Sequence, residues 1–125
     1  MATKIDITPE GSILRVRVEG TIKPHLNGGD LGELARVLGV CAEHECEGIL
    51  FDISCATVVI GTLDMYRVGT ALADQMTPGV KIAVYYNPDS TKEDPFFELV
   101  TQNRGILYRA FSAESEALRW LNASR

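Results

Sequence analysis

Apolar and polar residues change their spacing along the chain, and the changes predict an ordered series of elements. Ile5 and Ile7 alternate with Lys4, Asp6 and Thr8; Leu14, Val16 and Val18 alternate with Arg15, Arg17 and Glu19. Alternation of this kind marks half-buried strands, so the start predicts a β-hairpin that turns at Pro9-Glu10-Gly11 and keeps one face wet. After a loop over Lys23 to Gly29, Asp30 and Glu33 have the spacing of a helix capping box. Leu31, Leu34, Ala35, Leu38 and Cys41 then recur at helical intervals. Gly48 to Ser54 is an apolar run ending in polar residues, the pattern of a central strand covered on both faces. Thr62 stands as the cap of a second helix, with Met65, Val68, Leu72 and Met76 along its apolar side and Pro78-Gly79 as its stop. Val80 to Tyr86 reads as the next strand, followed by the polar loop Asn87 to Glu93. A third helix runs from Asp94-Pro95 to Gly105, with proline inside its start and glycine past its end. Ile106 to Phe111 is the last strand. Ser112 is expected to cap a final helix with Ala117, Leu118 and Leu121 inward and Glu114 and Glu116 near its positive end.

Strands alternating with helices of this length predict right-handed crossovers and the α/β class. The expectation is an open mixed β-sheet, mostly parallel, with about four helices and the first strand antiparallel at an edge. No internal repeat and no linker interrupts the series, so residues 1–125 are read as a single domain.

Composition narrows the function classes. Leu, Ile, Val and Phe account for 35 of the 125 residues, well above the roughly one-fifth below which chains stay disordered. The net charge is −5 and the 12 basic residues are scattered, which disfavours nucleic acid, whose phosphates select clustered Lys and Arg. Ile49 to Ile60, the longest apolar region, is interrupted by Asp52 and falls short of the roughly 20 residues of a membrane span. The start has no apolar stretch behind its charge, so no signal peptide is expected and the location expected is cytoplasmic. Cys41, Cys46 and Cys55 form an odd set without paired spacing and are read as small buried thiols in a reducing compartment.

In an open α/β sheet, ligands and partners meet the carboxyl ends of the strands. Those ends are Asp52, Ser54 and Cys55, then Tyr85, Tyr86 and Asn87, then Phe111-Ser112. Gly61-Thr62 opens the helix beyond the first of them; its free N–H groups suit an anion, although capping alone accounts for a threonine there. Asp52 is read as an acceptor for the neighbouring loop backbone, since a lone carboxylate lacks the second group that acid–base catalysis needs. Tyr85-Tyr86 and Phe96-Phe97 flank the polar loop, and one member of each pair must point away from the core. Packed under the loop they form a lid; with Leu99 they would line a cavity for a small apolar ligand or lipid. Cys41, His44 and Cys46 lack a fourth metal ligand, His25 and His44 lack a nucleophile elbow, and no phosphate-binding glycine motif occurs. Neither enzyme chemistry nor a cofactor is expected. The hairpin edge is a candidate surface for a homodimer.

The segment Ile49 to Leu72, with Phe51-Asp52-Ile53-Ser54 at its strand end, resembles the central motif of STAS domains, the SpoIIAA-like family of anti-anti-sigma factors. That resemblance implies a regulatory domain that binds a partner protein, a kinase or anti-sigma regulator, with Thr62 on the position phosphorylated in those members. Where they carry Asp-Ser-Ser-Gly, this chain has Ile60, Gly61, Thr62 and Leu63. It is more similar to a divergent SpoIIAA-like branch, also grouped with the CRAL-TRIO lipid-binding fold, through Phe96-Phe97, Asn103-Arg104-Gly105, Phe111 and Glu116 to Leu121. The resemblance implies a partner- or ligand-binding set of Asp52, Ser54, Gly61, Thr62, Tyr85, Tyr86 and Phe96.

Overall fold

The alternating start forms a hairpin, β1 (Lys4–Glu10) and β2 (Ile13–Ile22), paired antiparallel from Lys4 opposite Glu19 to Glu10 opposite Ile13. The structure is a computed structural model and describes residues 4–22, 29–58, 70, 74, 79–89 and 105–123. The hairpin turns at Gly11-Ser12 and not at Pro9-Glu10-Gly11, because Gly11 takes the left-handed φ of +65° that the tight turn requires. Pro9 and Glu10 therefore stay in the strand.

Helix α1 (Gly29–Glu43) follows, then β3 (Gly48–Val58), β4 (Lys81–Tyr85), β5 (Leu107–Phe111) and helix α2 (Glu114–Asn122). The strands lie in the order β1-β2-β3-β4-β5, with β2 to β5 parallel and β1 antiparallel at the edge. This is the mixed α/β sheet expected. The described residues contain two of the expected helices, α1 and α2. Of the predicted Thr62 helix only Thr70 and Asp74 are described, both helical, and the helix from Asp94 to Gly105 lies outside the described residues up to its last residue. Gly79 and Gly105, which were expected to end those helices, both have positive φ, +89° and +79°.

Alternation sends successive side chains of each strand to opposite faces. On one face Leu14, Val16, Ile49 and Ile82 pack with Val37, Leu38 and Cys41 of α1. On the other Ile13, Leu50 and Ala83 pack with Ala117 and Leu121 of α2. Strand β3 lies between the two layers, and Ile49 and Leu50 are both 0% exposed. The sheet face of β1 on the α2 side carries Lys4, Asp6, Thr8 and Glu10, all exposed, which is the wet face of the hairpin.

Two expected caps move. Helix α1 begins at Gly29, so Asp30 falls inside its first turn instead of before it. Helix α2 is preceded by Ala113 in extended conformation with no side-chain capping bond, so Ser112 is not the cap. Its first turn is held instead by Glu114, whose carboxylate accepts from Arg15 Nη1 at 3.0 Å. Its last turn is held by Lys81 Nζ, which donates to the Trp120 carbonyl at 3.0 Å and lies 5.2 Å from the Trp120 ring centroid. No helix among the described residues is long and apolar enough to cross a membrane.

Candidate functional site

The carboxyl ends of the parallel strands are shaped by an irregularity in β3. Arg17 stands opposite Asp52 and Glu19 opposite Cys55, so β3 spends one residue more than β2 over this stretch. Such an extra residue is a β-bulge. It loses its place in the ladder, and a side chain takes over: the Ser54 N–H donates to Asp52 Oδ1 at 3.1 Å and the Ser54 hydroxyl to the same oxygen at 2.6 Å. This is the bond to neighbouring backbone expected of Asp52, whose residue is only 5% exposed.

The bulge also reverses which residues face outward. Before it, Leu50 and Asp52 share the α2 face of the sheet; after it, Ala56 joins the α1 core while Cys55 is exposed beside Arg17. Cys55 is thus not a buried thiol. Arg17 Nη2 donates to Cys55 Sγ at 3.3 Å, and Arg17 Nε lies 3.5 Å from Glu19. The interaction with Cys55, then those with Asp52 and Glu19, hold the Arg17 guanidinium above its usual pKa. Arg17, Glu19 and Cys55 form a polar ridge, of which the sequence pattern points only to Cys55, as part of a strand end. A strand ending D-x-S, in which the aspartate can bond its own backbone two residues on, was the one available sign of the break in alternation.

Strand β4 stops pairing with β3 at Tyr85, opposite Asp52. Tyr85 and Phe111 pair across β4 and β5 and pack against the α2 cluster, so Arg17, Asp52, Tyr85 and Phe111 make one row across the sheet on the α2 face. Tyr86 falls just beyond β4, where its N–H donates to the Phe111 carbonyl at 3.0 Å. The chain then turns at Asn87, whose Oδ1 accepts from Asp89 N–H at 2.9 Å. The structure therefore brings Asp52, Ser54, Tyr85 and Tyr86 to one end of the sheet. Gly61, Thr62 and Phe96 lie outside the described residues.

The remaining thiols sit elsewhere. Cys41 and Cys46 are buried at the exit of α1, and Cys41 Sγ donates to the Cys46 carbonyl at 3.7 Å. Burial, with a smaller contribution from Cys46, pushes the Cys41 thiol up to about 11. Among the described residues no group of three or more His, Cys, Asp or Glu has a metal-holding arrangement. With one Asp52 oxygen engaged by Ser54, the strand ends form a braced polar rim, an arrangement suited to recognition.

No family model matches the chain, and none of the curated proteins matches it. Among solved structures it is similar to an anti-sigma factor antagonist from Mycobacterium paratuberculosis, with 12% identity and a TM-score of 0.66 over 98% of this chain and 96% of that one. It also aligns with the anti-sigma factor antagonist SpoIIAA in its unphosphorylated form, at 13% identity and a TM-score of 0.47, over 98% of this chain and all of that one. The first likeness spans nearly the whole of both chains. The chain has the fold of an anti-sigma factor antagonist, a STAS fold.

Proposed function

We propose that this STAS-fold chain is a non-enzymatic regulatory domain that binds a partner protein across the carboxyl ends of its parallel strands, with phosphorylation of Thr62 as the switch. The observation that carries the reading is the bulge at Asp52. A buried carboxylate holds the Ser54 backbone in place and turns Cys55 outward beside Arg17, which builds a rigid polar rim where this class of sheet meets its ligands. Asp52 and Ser54 shape that rim, and Tyr85 and Tyr86 flank it. Gly61, Thr62 and Phe96 complete the set by their places in the sequence. By likeness to the antagonists, the partner is an anti-sigma factor or a kinase of that regulatory type, and the complex is cytoplasmic.

A phosphate on Thr62, four positions past the end of β3 in the sequence, adds about −2 charge and so alters the surface the partner reads. The test is calorimetric titration of the chain with candidate anti-sigma factors from its own cells, repeated with Thr62→Ala and Thr62→Glu. Binding that survives Thr62→Ala and weakens about tenfold or more in Thr62→Glu supports the switch. Binding unchanged by Thr62→Glu removes the switch, and no binding by the wild-type chain removes the whole reading.

A further inference from the structure

The outer side of β1 is a lateral edge of the sheet with which no described strand pairs, and its pattern of backbone groups and side chains selects an occupant. Glu10 and Ile13 close a two-residue turn and so form a hydrogen-bonded pair. The Ser12 carbonyl accepts from Glu47 N–H at 2.7 Å, so even-numbered backbone groups at the start of β2 point to β3 and odd-numbered ones to β1. It follows from the register that Lys4, Asp6, Thr8 and Glu10 bond inward to β2. Ile5, Ile7 and Pro9 direct their backbone groups outward. Pro9 has no N–H, and it stands at a position where β2 needs none.

We propose that this edge pairs antiparallel with the same edge of a second copy of the chain, about a two-fold axis through Ile7. Ile7 then stands opposite Ile7 of the second copy, each N–H donating to the other carbonyl. Ile5 N–H donates to the Pro9 carbonyl of the second copy, and the Ile5 carbonyl, facing a proline, keeps water as its partner. The side chains agree with that register along the whole strand. Lys4 meets Glu10, Asp6 meets Thr8, and Ile5 meets Pro9, so charges are opposed by their complements on the wet face and apolar groups meet on the other. Moving the axis to Asp6 sets two aspartates against each other. Moving it to Ile5 leaves Ile7 to Glu10 beyond the end of β1 in the second copy. Lys4 and Glu10 have ion-pair partners within their own chain, Asp6 at 3.9 Å and Arg15 at 3.0 Å, but these pairs are exposed and hold their side chains weakly. The interface is isologous and makes one sheet continuous through both copies. It lies to the side of the strand ends, so it stands or falls separately from the partner reading above.

Sedimentation velocity over a wide range of protein concentration tests the pairing. A reversible dimer is expected, with Lys4→Glu raising its dissociation constant about tenfold. The double variant Lys4→Glu/Glu10→Lys is expected to recover the dimer. Register is read separately in a Cys55→Ser background with oxidised glutathione. Ile7→Cys should give a covalent dimer, because a residue on the axis faces itself at about 5.5 Å between Cα atoms, within reach of a disulfide. Ile5→Cys, displaced from the axis, should not. A chain that stays monomeric at every concentration overturns the proposal, as does a dimer that the double variant fails to recover or that Ile5→Cys links as readily as Ile7→Cys.

Discussion

Asp52 places a carboxyl group at a nearly closed position, where Oδ1 accepts both bonds from Ser54. Replacing it by alanine leaves the Ser54 N–H and hydroxyl without their acceptor inside a bulge, a loss of about 1–3 kcal/mol. Asp52→Asn keeps a carbonyl oxygen for one of them and is expected to cost less. Urea unfolding of the two variants checks the order, and equal losses would show that the acceptor is not what Asp52 contributes. Cys41 makes a separate prediction in pH. Its folded thiol is raised from the ordinary 9.0 to about 11 by burial, so the folded state keeps a proton that the unfolded state gives up. The contribution is fully present below about pH 9 and is lost as the pH climbs towards about 11. The melting temperature is expected to fall over that window, and Cys41→Ala to flatten the fall. A slope unchanged by the substitution would assign the loss to other groups. At this scale the acceptor role of Asp52 was legible, because an aspartate two residues before a serine has a local bond to make. The exposure of Cys55 was not, since it depends on the extra residue that the bulge inserts.

Among the elements, α2 shows how a helix without a side-chain cap is docked. Arg15 reaches Glu114 at one end, Lys81 reaches the last-turn carbonyls at the other, and Ala117 and Leu121 lie between them against Leu50 and Ala83. The close fit also constrains the strand below: a Cβ on Gly48 would stand 2.9 Å from Leu121 Cδ2. Gly48→Ala gains strand propensity but presses on that side chain, and overpacking of this kind costs about 1–3 kcal/mol. With Leu121→Ala the space opens. In a double-mutant cycle Gly48→Ala should therefore be less costly, or favourable, in the Leu121→Ala background, with a coupling of about 1 kcal/mol. Strict additivity would mean that the helix adjusts without strain. The inward face of α2 was readable from the spacing of Ala117, Leu118 and Leu121, and the edge position of β1 from its alternation with polar residues. The anchors at its ends were not. Arg15 and Glu114 are 99 positions apart, as Lys81 and Trp120 are 39, and no local pattern reports a pair that only the parallel strand order brings together. The length of β3 escaped for a related reason: past Asp52 it pairs with β2 but leaves β4, and the bulge breaks the alternation that marks a strand.

For the whole molecule, layering sets a gradient of local stability across the sheet. Ile49 and Leu50 lie under both helical layers with strands on each side, whereas β1 has a single neighbour and one wet face. Backbone groups at the centre open only with the domain, and those at an edge open by local fraying. Amide hydrogen exchange should accordingly be slowest in Ile49 to Asp52 and fall off towards β1. Within β1 the register adds a finer distinction. Asp6, Thr8 and Glu10 bond to β2 and should show moderate protection, while Ile5 and Ile7 present their N–H groups to solvent and should exchange quickly when the protein is dilute. Raising the concentration separates the intrinsic edge from the paired one. If two copies join through β1, the Ile5 and Ile7 amides gain protection together, whereas those of Ile49 to Asp52 keep their rates. A rise confined to other strands would move the contact elsewhere, and protection of Ile5 and Ile7 already present at high dilution would mean that the outer edge is covered within a single chain.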